Sequence, residues 1–255
     1  MSEPKPASNP SGPQPFLTTR WSLVIEAGKP ANETSRRALS ELCETYWYPL
    51  YAFVRRRGYR REDAQDLTQA FFARLLEKQV VVAADPARGR FRSFLLGSLK
   101  NFLANEWDRE RTQKRGGGRA LLSLDFTLAD ERFVREPVTH ATPEKEFERN
   151  WAVAVLERAL TRLQTEYETR GKQALFTRLK PALIAAEEDE PRRAMAADLG
   201  MTEGAVKVAL HRMRHAFRDA LRAEISETVH TERDVEDELL ALIDALGAPQ
   251  VGGSS

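Results

Sequence analysis

Apolar residues recur along most of this chain at the three- and four-residue steps of an amphipathic helix. A first stripe, from Leu39 to Val54, predicts a helix that ends near Gly58 and is kinked at Pro49. Further stripes predict helices over 62–78, 92–111, 143–170, 172–186, 192–199, 202–225 and 232–246. No segment shows the sustained alternation that is typical of a strand. The pattern therefore predicts an all-α fold.

The helical stripes form two dense blocks, separated by a glycine-rich stretch at 116–118. We predict two helical domains, at 19–115 and 143–227, joined by a flexible linker at 116–142. Residues 1–18 are expected to be disordered, because five of the first fifteen residues are proline and few are apolar. Residues 228–255 are predicted to be an acidic C-terminal extension.

Composition removes several classes of function. The 39 Lys and Arg residues nearly balance the 38 Asp and Glu residues, which leaves a net charge of +1. A single cysteine, Cys43, excludes an intramolecular disulfide and a multi-cysteine zinc site. No apolar run is long enough for a transmembrane helix, and the N-terminus lacks the pattern of a signal peptide. Because there is also no phosphate-binding loop or nucleophile motif, we expect no catalytic site, cofactor or metal.

The most specific local pattern is a pair of short helical segments joined at Gly200. Gly200 can adopt the positive φ of a tight turn, and Thr202 can cap the second segment. This pattern is typical of a helix-turn-helix, whose second helix enters the major groove of DNA. Seven cations face three acids between 192 and 222. The side chains expected on the open face are Lys207, Val208, His211, Arg212 and Arg214. The alternative is a helical hairpin with a solvated basic face.

Two further patterns lie in the first block. Between 87 and 119, nine cations face three acids, and Phe91 and Phe94 lie among them. Aromatic rings interleaved with cations are typical of surfaces that stack unpaired bases; the alternative is that the rings are core residues. Upstream, Asp63, Asp66 and Gln69 share one face of a helix, which by itself is typical of a solvated surface.

With these segments in this order, the sequence resembles the bacterial sigma-70 family of RNA polymerase sigma factors, of the small extracytoplasmic-function (ECF) type. The resemblance covers roughly 39–115 and 147–223, which correspond to regions 2 and 4 of that family. DAQDLTQAFF is similar to region 2.2, FRSFLLGSLKN to region 2.3 and AVKVALHRMR to region 4.2. The run at 96–99 and Asn105 depart from the family pattern.

The resemblance implies a cytoplasmic protein that joins core RNA polymerase, at the β′ clamp and β flap, and recognises promoter DNA. An anti-sigma factor is a further partner that the family allows, and no membrane partner is expected. The implied polymerase-docking residues are Asp63, Asp66, Gln69 and Phe72. The implied −10 residues are Arg90, Phe91, Phe94, Lys100 and Asn101, and the −35 residues are the five on the open face of the helix-turn-helix.

Two other functions stay open at this point: a helix-turn-helix regulator that does not associate with polymerase, and an enzyme whose site the sequence does not reveal. The C-terminal extension carries eight acids and one arginine between 223 and 246, with an amphipathic stripe. We expect it to fold back on region 4 and compete with DNA. The alternatives are a solvated helix or an extension of the region 4 core.

Overall fold

The computed structural model describes residues 33–77, 90–110, 126–136, 141–184, 192–227, 229 and 231–247. These residues form nine α-helices and no strand, which confirms the all-α prediction. The helices are α1 (Glu33–Arg56), α2 (Arg61–Glu77), α3 (Phe91–Glu110), α4 (Phe126–Arg135), α5 (Pro143–Thr169), α6 (Gln173–Ile184), α7 (Arg192–Leu199), α8 (Glu203–Ser226) and α9 (Glu232–Gly247). The predicted disordered N-terminus and the glycine-rich stretch lie outside the described residues.

Local sequence signals set the helix ends. Pro49 lies inside α1, and the helix is followed by Gly58 with a φ of 93°. At the start of α5, Pro143 takes the first helical position, where its missing N–H costs nothing. The backbone N–H of Lys145 donates to the hydroxyl of Thr142 at 3.3 Å, which caps the helix. These ends agree with the positions predicted from the sequence.

The long helix α5 connects two hydrophobic clusters. Its first half packs on α1, where Phe147 and Trp151 are buried in a cluster that also includes residues of α2, α3 and α9. Its second half contributes Leu163 and Tyr167 to a smaller cluster with α6, α7 and α8. In this structure the two predicted blocks therefore share α5, and the first cluster extends across both of them.

Part of the segment predicted as a linker is helical. Residues 126–135 form α4, which buries Ala129 and packs Phe133 under the guanidinium groups of Arg55 and Arg56. The hydroxyl of Tyr51 donates to the buried carboxylate of Asp130. The apolar spacing of Phe126, Ala129 and Phe133 was a usable helical signal, but the segment is short and lies between stretches rich in charge and glycine.

The C-terminal extension forms α9, which packs against α5 and α8. Val235 and Leu242 are buried in the first cluster, so the extension adds to the core of the molecule rather than forming a solvated helix. None of the described helices is both long enough and apolar enough to cross a lipid bilayer.

Candidate nucleic-acid interface

The turn between α7 and α8 has the geometry of a helix-turn-helix. Gly200 has a φ of 60°, and the N–H of Met201 donates to the carbonyl of Ala196 at 2.9 Å. The hydroxyl of Thr202 then accepts from the N–H of Ala205 at 3.2 Å. Both sequence predictions for this turn are confirmed. Gly200 lies in the left-handed region, where other side chains are strained, and Thr202 caps α8 by accepting from a free N–H of its first turn.

Apolar contacts fix the angle at which α8 is presented. Val206, Leu210 and Met213 are buried along one side of α8, and they pack with Met195 and Ala196 of α7. The same cluster includes Phe176 and Leu179 of α6 and residues of α5. One side of α8 therefore packs against α5, α6 and α7, and its opposite side is open to solvent.

That open side carries the five residues predicted for −35 recognition, Lys207, Val208, His211, Arg212 and Arg214, and all are exposed. Val208 is 50% exposed and follows Lys207 directly on α8. The rings of His211 and His215 lie 4.5 Å apart, and Arg214 donates to the carbonyl of Ala182 at 3.2 Å. The surface thus combines guanidinium, ammonium, imidazole and methyl groups, the kinds of group that in protein–DNA complexes contact phosphates, base edges and thymine methyls.

The residues predicted for the −10 element are less uniform. Phe91 is 1% exposed and packs edge-on against Tyr46, with ring centroids 5.3 Å apart. Phe94 is half-buried and stacks on Phe91 at 6.2 Å, whereas Asn101 is exposed. Phe91 is therefore a core residue in this structure. The accessible residues predicted for the −10 element are Phe94, Lys100 and Asn101 on α3, and Arg90 just before it.

Both of those cations are engaged by acids. The ammonium of Lys100 lies 2.7 Å from the carboxylate of Glu144 at the start of α5. This hydrogen bond, together with one from the backbone N–H of Glu144, holds the pKa of the Glu144 carboxyl below its usual value. Arg90 pairs with Glu238 of α9, with 3.5 Å between Nε and Oε1. Arg90 and Lys100, two described cations of this basic patch, are thus each paired with an acid that is distant in sequence.

The predicted polymerase-docking residues also differ in how exposed their side chains are. Asp63 and Asp66 are exposed on α2, and Gln69 is half-buried. Phe72 is 1% exposed and belongs to the first hydrophobic cluster, so it does not share the surface of the two aspartates. Asp63 and Phe72 are nine residues apart, which is about two and a half helical turns, so they lie on opposite sides of α2.

One buried group that the sequence did not single out is Arg92, at the start of α3. Its side chain is 5% exposed and its guanidinium lies over the Trp151 ring, 4.0 Å from the centroid. Its Nε is 2.6 Å from Glu148, and it also forms an ion pair with Glu238. Burial lowers the pKa of Arg92 from its ordinary value despite the attraction of Glu148. We refer to Arg92, Glu148 and Glu238 as the Arg92 junction.

A second set of acids holds the end of α8. Glu224 is buried and pairs with Arg158 of α5 at 2.9 Å. Arg222 lies 2.6 Å from Glu236 and 2.5 Å from Glu232 of α9, and these hydrogen bonds raise the pKa of its guanidinium. Glu224 with Arg158, like the Arg92 junction, joins partners far apart in sequence, so periodicity could not have revealed them.

Within the described ranges, no group of three or more His, Cys, Asp or Glu side chains could hold a metal ion. Comparison of the chain with family models, with curated proteins and with solved structures found no match. The functional conclusion therefore depends on the geometry above and on the sequence motifs.

Proposed function

We propose that this protein is a sigma factor of the ECF type, which binds core RNA polymerase and directs initiation at promoters. The observation that carries the proposal is the exposed basic face of α8, presented from a capped helix-turn-helix. Support comes from the order of the motifs, with acidic α2 and aromatic α3 preceding it. In this proposal residues 19–115 act as region 2, residues 143–227 act as region 4, and the intervening segment lets them separate on polymerase.

No covalent chemistry is needed for this function, because binding energy performs the work. Lys207, Arg212 and Arg214 contact phosphates and base edges in the major groove of the −35 element, with His211 near a base. At the −10 element, Phe94 stacks on an unpaired base and Asn101 contacts an extruded one. Such stacking contributes about 1–3 kcal/mol per base, which offsets the cost of unstacking the duplex.

The decisive experiment is purification of core polymerase on the immobilised full-length chain. Asp66→Arg reverses a charge on the proposed docking face, so we expect it to weaken capture of polymerase at least about tenfold. Asp244→Arg, which makes the same charge reversal at an exposed position of α9, is the matched control and should capture polymerase normally. Failure of the unmodified chain to bind core polymerase would reject the sigma-factor proposal.

A second candidate is a helix-turn-helix regulator that acts without core polymerase. Burial of Phe72 and Phe91 favours it, because two residues assigned to docking and melting have structural positions instead. The same capture experiment separates the two candidates, since a regulator would bind duplex DNA but not polymerase. Asn101→Ala adds a second criterion: a sigma factor carrying it should keep polymerase binding but open promoters poorly, as measured by permanganate footprinting.

A further inference from the structure

A buried carboxylate connects the C-terminal helix to the start of α3. Glu238 is 2% exposed, and its two oxygens form ion pairs with Arg92 and Arg90. Arg90 also donates to the backbone carbonyl of Asp237, at 3.5 Å. One turn of α9 therefore holds two guanidinium groups at the start of α3, that of the proposed −10 residue Arg90 and that of Arg92.

The choice of a carboxylate at position 238 needs an explanation. Its neighbours on the inner side of α9, Val235, Leu239 and Leu242, are apolar and face the first hydrophobic cluster. An ion pair at such a position is seldom more stabilising than a well-packed apolar side chain, because both charges must lose their water. Apolar side chains at both 92 and 238 would have served packing alone, so the charged pair points to a contact that is made and broken.

A DNA phosphate is the natural competitor for this contact. Carboxylate and phosphate oxygens accept the same forked hydrogen bonds from a guanidinium. Arg90 is 38% exposed, so a strand can reach it without prior unfolding, whereas Arg92 becomes accessible only when Glu238 leaves. Arg92 also lies over the ring of Trp151, 4.0 Å from its centroid.

We propose that Glu238 occupies the place of a DNA phosphate at Arg90 and Arg92, which makes α9 an internal competitor of DNA at the α3 surface. The inference rests on the proposed function, since it assigns regulation to the −10 surface of that function. Glu232 and Glu236 act in the same direction at Arg222 of α8. Arg92 is thereby added to the DNA-contacting residues.

The competition does not extend to the residues of α8 that are proposed to read the −35 element. Among the described residues, no acid of α9 forms an ion pair with Lys207 or Arg212, and both stay exposed. The extension does pack on α8 and α5, as expected of a segment that folds back on region 4, but it leaves Lys207 and Arg212 exposed. With α9 in place, duplex reading by α8 is open while strand capture at α3 is blocked, and release of α9 would complete the promoter-binding surface.

The first test compares two charge-neutralising variants of the full chain. Glu238→Gln removes the competing charge, whereas Asp244→Asn removes one charge from an exposed position of the same helix. The probe is a fluorescein-labelled thymidine-rich single strand, and anisotropy gives the dissociation constant over a salt series. We expect Glu238→Gln to bind about tenfold more tightly than the unmodified chain at low salt, and Asp244→Asn to change binding less than about twofold. Equal affinities of Glu238→Gln and Asp244→Asn would overturn the proposal.

A second test needs no variant and so does not depend on how Glu238→Gln folds. Saturating single strand should increase hydrogen–deuterium exchange of the α9 amides in the unmodified chain, because the strand displaces the helix. Unchanged or slower exchange in α9 would overturn the competition. Capture of core polymerase is independent of these measurements, so intact polymerase binding together with unchanged α9 exchange would reject the competition and leave the proposed function standing.

Discussion

The two basic surfaces of this protein differ in what covers them. On α8, Lys207, Arg212 and Val208 face solvent, and the described residues provide no acid to pair with either cation. On α3, Arg90 and Lys100 are held by Glu238 and Glu144, which come from α9 and α5. Among the described residues, Lys207 and Arg212 of the α8 patch are thus open to solvent, whereas Arg90 and Lys100 of the other patch are held by acids.

The difference shows that a local excess of cations does not by itself define a binding site. Whether a guanidinium can meet a phosphate depends on the acids that tertiary packing brings to it. On α8, the side that includes Val206 and Leu210 is buried against α6 and α7, and the side that includes Lys207 and Arg212 is exposed. Helix α3 lies against α1, α5 and α9. The ring of Phe91 therefore packs on Tyr46, and Arg92 pairs with Glu148 and Glu238.

The largest effect on stability is expected from Phe91→Ala. This variant tests whether Phe91 of α3 is a core residue rather than part of a DNA-binding surface. Phe91 is fully buried, so its truncation should lower the free energy of unfolding by about 3–5 kcal/mol. Phe94→Ala, at the half-buried neighbour, should cost about 1 kcal/mol, since less apolar surface is lost. Urea unfolding followed by circular dichroism measures both, and equal losses would contradict the assignment of Phe91 to the core.

Next in size is the expected effect of Arg212→Ala on DNA binding. This side chain is exposed, so stability should change by less than about 0.5 kcal/mol. Affinity for promoter DNA should fall by about 1–3 kcal/mol if the guanidinium contacts a base. The control is Arg170→Ala, an exposed cation paired with Glu166 away from α8. A similar loss of affinity in both variants would show that α8 supplies charge without sequence reading.

Two glycines of the helix-turn-helix give a smaller effect with opposite signs. Gly200→Ala forces a side chain into the left-handed region and should destabilise the fold by about 1 kcal/mol. Gly204→Ala lies within α8, where an added Cβ meets nothing within 4 Å, and should stabilise by about 0.5–1 kcal/mol. Thermal unfolding monitored by circular dichroism measures both shifts, and a destabilising Gly204→Ala would contradict the geometry of this turn.

The smallest effect concerns the pair between Lys100 and Glu144. The folded protein lowers the pKa of the Glu144 carboxyl, so this group stabilises the fold above its ordinary pKa and loses that contribution as pH falls through the lowered value. Both side chains are well exposed, so the contribution should not exceed about 1 kcal/mol. In Lys100→Met the pKa of Glu144 should rise toward its usual value, which carboxyl NMR titration would detect. An unchanged pKa would show that the backbone N–H alone lowers it.

Much of the fold was predictable from local pattern. The helix ends at Pro143 and Gly200, and the buried side of α8 at Val206 and Leu210, follow from spacing and capping residues. The exposed residues of α8 were predicted for the same reason, because their positions are fixed by one helix and its immediate neighbours. The placement of Phe72 and Phe91 was harder, since each lies on a helix with more than one apolar side.

By itself, the sequence determined most of the helical segments, though not α4, and also which face of α8 is open, because these properties depend on interactions within a few residues. Only the tertiary structure decided that Glu238 lies against Arg92, and that α4 and α9 join a common core. The physical reason is the range of the interactions. Burial and ion pairing between distant segments depend on how the helices pack. The residues next to Glu238 in the sequence therefore do not indicate that it pairs with Arg92.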